Sequence, residues 1–288
     1  MQDLEGKTVV VTGSAAGMGQ GFAACFGREG MNVVMADIEE KALRKAAAEV
    51  EALGVNVLPV VTDVASEGSM DALAEATRDA FGVPDLVCLN AGVGGAGGPL
   101  ETLTTKDWQW LLGVNLWGVI HGIRVFLSDM KERDSGHFVV TASVAGLTSY
   151  PWLGPYNVSK HGAVTICETL HGELQDAGSN VKVSCLCPGA VATSIGSSER
   201  NRPKELENAP DDAPPPPPVS QGDFGDFSTV AKAPSEVAEI VLAAVLEDRF
   251  WIETDTFYRE PIKARHRAIE TFADPPARGL ILAPYIDR

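Results

Sequence analysis

Short apolar runs alternate along the chain with longer stretches in which apolar residues recur every three or four positions. Residues 7–12 (KTVVVT), 32–36 (NVVMA), 56–61 (NVLPVV), 86–89 (LVCL), 137–141 (HFVVT) and 181–187 (VKVSCLC) read as strands. They are rich in β-branched residues and almost continuously apolar, the pattern of strands covered on both faces. Residues 18–29, 39–53, 69–81, 105–130 and 156–177 carry the helical period. Thr104-x-x-Asp107 has the form of a capping box at the start of one of these helices. Strand and helix alternate throughout, which predicts an α/β fold: a doubly wound parallel sheet with helices on both faces.

One segment interrupts the rhythm. Residues 196–234 hold five consecutive prolines at 214–218, several acids and few apolar side chains. Proline at that density disfavours helix and favours extended backbone. The length exceeds an ordinary connection, which leaves a linker or an active-site lid. The pattern then resumes as a helix over 235–247, a last strand over 249–252 and a helix over 261–272. That is too little for a second domain, so residues 1–288 are expected to form one domain. Residues 196–234 would be its lid and 258–288 a C-terminal extension, with the apolar 279–286 (GLILAPYI) at an interface or over a pocket.

The net charge of −16 and the lack of a basic cluster argue against nucleic acid and anionic lipid as partners. Five scattered cysteines form no CxxC pair and no metal-like spacing with the histidines, as expected of reduced thiols. Cys185 and Cys187, two apart on a strand, would share one face. No run approaches the roughly 18 apolar residues of a membrane span, and the N-terminus lacks the basic start of a secretory signal. A soluble, cytoplasmic protein is the expectation.

Candidate chemistry begins after the first strand, in Thr12-Gly13-Ser14-Ala15-Ala16-Gly17-Met18-Gly19. Glycines there permit a tight turn and close backbone approach to a pyrophosphate at the next helix's N-terminus. Asp37 ends the second strand 18 residues beyond Gly19, near the roughly 20 expected of an acid that binds a ribose 2′-hydroxyl. Its carboxylate would repel a 2′-phosphate, and neither the loop nor Ile38 offers a cation to hold one. NAD is favoured over NADP.

Tyr156 and Lys160 stand four apart on a predicted helix, so phenol and ammonium share a face. A neighbouring cation favours the phenolate and would bring Tyr156 toward the range of a working base. Ser143 closes the fifth strand, where such sheets place their ligands, and its hydroxyl could steady charge on a substrate oxygen. Asn115 is a polar residue in an otherwise apolar helix, a position that also suits a local backbone bond or kink.

With these residues in order the chain resembles the classical short-chain dehydrogenase/reductase family. Thr12–Gly19 is similar to its TGxxxGxG loop, Asn90-Ala91-Gly92 to its NAG motif and Asp63-Val64 to its adenine-contacting pair. Tyr156 follows Ser143 by the family's usual 13 residues, and Pro188-Gly189 with Thr193 resembles its PG motif and carboxamide-binding threonine. The resemblance implies a Rossmann fold with Asn115, Ser143, Tyr156 and Lys160 as the catalytic set. Tyr156 would be the general acid/base, Lys160 would bind ribose and lower the tyrosine pKa, Ser143 would orient substrate, and Asn115 would hold a relay water. It further implies cofactor contacts from Gly13, Ser14, Ala16, Gly17, Met18, Gly19, Asp37, Ile38, Asp63, Val64, Asn90, Ala91, Gly92, Pro188, Gly189, Val191 and Thr193.

Two departures stand out. Leu89 precedes Asn90 where the family has a second asparagine, and the 196–234 insertion is long. Its start, Arg200-Asn201-Arg202-Pro203, and the 251–269 ending resemble a subgroup that oxidises lignin-derived benzylic alcohols. Ser143, Val144, Tyr150 and Trp152 are expected to edge an apolar pocket for a bulky or aryl secondary alcohol, though Tyr150 and Trp152 would equally serve to pack their loop. An NAD-dependent alcohol dehydrogenase follows, as a homodimer or homotetramer joined through the 105–130 and 156–177 helices. An epimerase or lyase holding NAD tightly, or a dinucleotide-binding regulator, is the alternative.

Overall fold

The computed structural model describes residues 1, 3–95, 97–212, 214–215 and 231–276. The last of the expected features, the apolar 279–286 tail, lies outside the described residues, as do Pro216–Pro218 of the proline run.

Seven strands form one parallel sheet in the order β3-β2-β1-β4-β5-β6-β7. They are β1 (Thr8–Thr12), β2 (Asn32–Asp37), β3 (Val57–Val61), β4 (Leu86–Leu89), β5 (His137–Thr141), β6 (Lys182–Cys187) and β7 (Trp251–Glu253). Alternation sorts the side chains of each strand. Val9, Val11, Val33 and Met35 enter one core layer with Phe22, Phe26, Leu43 and Val241. Val10, Val34, Val87 and Val140 enter the other with Leu73, Phe126, Cys167 and Leu170. Two cores, one on each face, explain why these strands read as unbroken apolar runs. β3 is half-buried at the edge, and Pro59 is tolerated there because an edge strand can spare a donor.

The first layer is built from α1 (Gly17–Arg28), α2 (Glu40–Glu51) and α7 (Pro234–Leu246). The second is built from α3 (Glu67–Phe81), α5 (Gly118–Arg133) and α6 (Gly154–Asp176). α8 (Arg259–Glu270) follows β7 and buries only Pro261. Cys185 and Cys187 share a face as their spacing requires, with their Sγ atoms 3.8 Å apart in the core.

The expected single helix over 105–130 is three pieces: α4 (Thr105–Leu112), a π turn (Gly113–Trp117) and α5. The widened turn contains Asn115, whose side chain leaves the helix to bond Val93, and π turns of this kind often mark functional sites. Together, residues 105–133 are long and apolar enough to cross a membrane by length and composition alone, with mean hydropathy 1.4 over the best window, although polar residues interrupt every apolar run in them. Their apolar side chains, including Val119, Val125, Phe126 and Met130, pack into the second core layer.

The described residues 195–212 after β6 hold local structure that the proline content did not suggest. Ile195–Asn201, Lys204–Leu206 and Pro210–Asp212 form 3-10 turns. Pro203 sits at the entry of one turn and Pro210 opens another, where a missing N–H costs little.

Candidate active site

The strand order reverses between β1 and β4, and the cleft opens there, beyond the carboxyl ends of the strands. The glycine loop forms its floor. Gly13 has φ +66°, and a Cβ there would stand 2.7 Å from Ala91 Cα. A Cβ on Gly19 would stand 2.1 Å from the Gly13 carbonyl oxygen, so no side chain fits at either position. Asn90 and Thr12 tie the loop down. Asn90 Nδ2 donates to the Thr12 carbonyl at 3.1 Å, while Thr12 Oγ1 accepts from the Asn90 and Ala91 N–H groups at 2.9 and 3.1 Å. No side chain caps α1 at Ala16, and Ala15, Ala16, Gly17 and Met18 line the cleft. This helix start suits a phosphate.

Asp37 also lines the cleft. Its carboxylate accepts the Ala15 and Glu39 N–H groups at 2.9 and 3.0 Å, which fixes its orientation. Ile38, Asp63, Val64, Ala91, Gly92, Pro188, Gly189, Val191 and Thr193 complete this half of the walls. Ser14 and Gly19 stand behind the lining; Ser14 Oγ donates to the Ala36 carbonyl at 3.2 Å.

Ser143, Tyr156 and Lys160 meet at the other half. Ser143 follows β5 and lines the cleft with Tyr156, and its Oγ accepts the Ala145 N–H at 3.1 Å. α6 presents Tyr156 and Lys160 on one face, with Pro155 in its first turn. Lys160 Nζ donates to the Thr141 carbonyl at 2.8 Å and stands 5.7 Å from the centre of the Tyr156 ring. Burial lowers the Lys160 ammonium to about 8. Burial raises the Tyr156 phenol, and the nearby Ser143 hydroxyl opposes it without reversing the direction. At this separation the lysine does not offset the burial, so the phenol is held in its protonated form more firmly than sequence spacing alone suggested.

Asn115 is nearby but behind the wall. Its Oδ1 accepts the Val93 N–H at 2.8 Å, and its Nδ2 donates to the Val93 carbonyl at 2.9 Å and to Ser159 Oγ at 3.3 Å. A Cβ on Gly92 would lie 3.3 Å from Asn115 Oδ1 and 3.7 Å from Lys160 Nζ, so these two side chains flank one glycine.

Val144, Tyr150 and Trp152 do not line the cleft. The Val144 N–H donates to the Pro188 carbonyl at 3.1 Å. The Tyr150 N–H donates to Asn157 Oδ1 at 3.3 Å, and burial pushes its phenol up to about 12. Trp152 adopts φ +64° and accepts the Gly98 N–H at 3.0 Å. The apolar wall beside Tyr156 comes instead from Val93, Trp110, Val114 and Leu206, with Gln109 as a polar member. Trp110 and Val114 were visible as apolar positions of the 105–130 period. Leu206 had no periodic pattern around it. Arg200 and Asn201 line the opposite end beside Glu39.

Residues 7–204 match the sequence profile of the short chain dehydrogenase family. The chain is 31% identical over 284 residues to a CLA biosynthesis dehydrogenase/reductase of Lactiplantibacillus plantarum, covering 96% of this chain and 97% of that one. It is 33% identical over 205 residues to a C alpha-dehydrogenase of Sphingobium, covering 70% and 66%. The crystal structure of a short chain dehydrogenase/reductase from Burkholderia phymatum in complex with NAD superposes with a TM-score of 0.88 at 38% identity, covering 96% and 99%. The glycine cradle, the sheet that carries it and the serine, tyrosine and lysine at one cleft thus sit on a chain that belongs to the short-chain dehydrogenase family of oxidoreductases and is related to its Cα-dehydrogenases.

Proposed function

We propose that the protein interconverts a secondary alcohol and a ketone with NAD, using Tyr156 as general acid/base. The observation that carries this reading is one cleft with a phosphate-suited helix start and Asp37 at one end and Ser143, Tyr156 and Lys160 at the other. The residues fit a dinucleotide. Gly13 and Gly17 keep the loop backbone at the cleft in positive-φ turns, the uncapped α1 start offers N–H groups, and Asp37 presents a carboxylate to a ribose diol. That carboxylate disfavours a 2′-phosphate, which supports NAD over NADP. NAD, when bound, supplies the hydride acceptor for oxidation and, reduced, the hydride donor for reduction.

In oxidation, the substrate hydroxyl loses its proton to the Tyr156 oxygen while its carbon loses hydride. The Ser143 hydroxyl, which lines the cleft with Tyr156, donates to the substrate oxygen as its charge changes. Burial holds the phenol protonated and Lys160 at 5.7 Å from the ring centre does not offset it, so oxidation draws on the deprotonated fraction of Tyr156 and is expected to speed up as pH rises. Asn115 shapes the backbone between Val93 and α5 and flanks Gly92 with Lys160, a position that supports a relay role. In reduction, Tyr156 returns the proton to the nascent alkoxide.

Val93, Trp110, Val114 and Leu206 make the reacting end apolar, which supports a bulky or aryl group on the substrate carbon. A homodimer or homotetramer through α4, α5 and α6 goes with this reading, and exposed Trp117 and Val158 on those elements support it. The test is a panel of secondary alcohols and ketones followed at 340 nm with NAD(H) and NADP(H). Benzylic alcohols turned over with NAD are expected. Small polyols preferred over benzylic alcohols, or NADP preferred over NAD, would contradict it.

A further inference from the structure

The segment from 195 to 208 crosses the mouth of the cleft, and one side chain in it makes unusual contacts. Arg202 is 5% exposed, and its guanidinium lies 2.8 Å from Asp107 Oδ1, a carboxylate itself 3% exposed. Its Nε donates to the Leu206 carbonyl at 2.7 Å, and its plane lies over the Trp110 ring at 5.2 Å. Leu206 and Trp110 are two walls of the apolar pocket beside Tyr156. Arg202 does not line that pocket. It stands behind both walls and touches each.

The carboxylate that holds Arg202 is itself fixed. Asp107 belongs to the capping box of α4, where it accepts the Thr104 N–H at 2.8 Å. Asn208 Nδ2 donates to its other oxygen at 2.9 Å, and Thr104 Oγ1 donates to Asn208 Oδ1 at 2.7 Å. Burial alone would raise this acid, yet the Thr104 N–H and the Arg202 guanidinium hold it below the ordinary carboxylate range. Both ends of the link are therefore preorganised: the carboxylate by a helix N-terminus, the guanidinium by a backbone carbonyl. A planar fork is what allows one side chain to bond a carboxylate and a carbonyl while stacking on an indole.

We propose that Arg202 is a positioning residue for substrate specificity, clamping Leu206 against Trp110 so that the pocket accepts a bulky, uncharged apolar group beside Tyr156. The inference rests on the alcohol–ketone reading above and adds what sets the shape of its pocket. The Asp107 carboxylate also has a consequence for charge. It neutralises the cation nearest the apolar walls, so the pocket offers an anionic substrate no free counter-ion from Arg202.

The test compares wild type, Arg202→Lys and Leu206→Ala, assayed with NAD on 1-phenylethanol and on propan-2-ol. Lysine keeps the charge but cannot hold carboxylate, carbonyl and indole together. Both variants are expected to raise KM for 1-phenylethanol at least tenfold. For Arg202→Lys, kcat/KM for propan-2-ol and the Kd for NAD should stay within twofold of wild type. Equal losses on both alcohols in step with a lowered Tm would show a merely structural role and overturn the proposal, as would an unchanged KM for 1-phenylethanol. If wild type oxidises neither these nor any other secondary alcohol, the functional reading itself fails. The clamp is then judged by amide exchange over residues 203–208, where faster exchange in Arg202→Lys supports it and unchanged exchange overturns it.

Discussion

The segment across the cleft is tied to the body at two ends by two ion pairs that look alike in contact distance and differ in burial. At the Asp37 end Arg200 bonds Glu39 at 2.6 Å, with Asn201 Nδ2 adding a bond to the same oxygen at 2.8 Å. These side chains are 42% and 31% exposed. At the reacting end Arg202 bonds Asp107 at 2.8 Å, with side chains 5% and 3% exposed. Water competes for the first pair and screens it, so such a pair contributes about 1 kcal/mol or less. The second cannot exchange its partners for water, and removing one of them leaves a buried charge unmatched. Distance alone would rank the two pairs the other way. The difference implies that the segment yields first at the Glu39 end and is anchored at the Asp107 end.

The largest effect is expected from breaking the anchor. Asp107→Ala removes the buried partner of Arg202, leaving it only half-exposed Glu199 at 3.5 Å, and also removes the capping-box acid of α4, a loss of about 3 kcal/mol. A fall in Tm of about 10 °C should follow in a chain of this size. A shift below about 2 °C, read by circular dichroism, would show that the buried pair carries little. Replacing both partners, as Asp107→Leu with Arg202→Met, should recover much of the stability because neither charge is left alone. It should leave the Leu206 wall unclamped.

Burial decides the next effect as well, at a site far from the cleft. His137 begins β5 with its Nε2 2.7 Å from Ser184 Oγ, and burial lowers its pKa to about 4. Asp248, 3.8 Å from Nδ1, pulls in the opposite direction, and the N-terminal ammonium and Lys182 add to the lowering. The unfolded chain takes up this proton near pH 6.5 and the folded chain only near 4. Stability from neutral His137 is therefore full above about 6.5, falls as pH drops toward 4, and amounts to at most about 3 kcal/mol. Urea midpoints from pH 7 to 4 should decline less steeply in His137→Gln than in wild type. Parallel slopes would contradict the assignment.

The smallest effect belongs to the exposed pair. Glu39→Gln should lower stability by less than about 1 kcal/mol, and added salt should shrink the difference further. A loss as large as that of Asp107→Ala would erase the contrast between the two ends.

Much of this architecture can be read from the chain because its strands are buried on both faces. Val9 to Val11 and Val33 to Met35 are apolar at every position since two core layers need them. Gly13 and Gly19 announce themselves in the same way, as positions where backbone or a neighbour leaves no room for a Cβ. The reacting end was less legible. Asp107 was readable as a helix cap, a local role that concealed its bond to Arg202, 95 residues later in the chain. Leu206 lies in a proline-rich stretch with no period to mark it as a pocket wall. The π turn at Asn115 is invisible to a helical pattern, because one extra residue per turn changes apolar spacing too little to register. Tyr150 and Trp152 drew attention by size and nearness to Tyr156, yet neither is among the residues that line the cleft, and their backbone bonds Asn157 and Gly98.

The central claim is that Tyr156 moves the proton at this cleft, and Tyr156→Phe tests it most directly. The ring keeps its packing and only the hydroxyl is lost. Turnover of the best secondary alcohol should fall by at least about 100-fold, while the Kd for NAD, read by fluorescence titration, stays within twofold of wild type. Retained turnover with NAD binding intact would contradict the account.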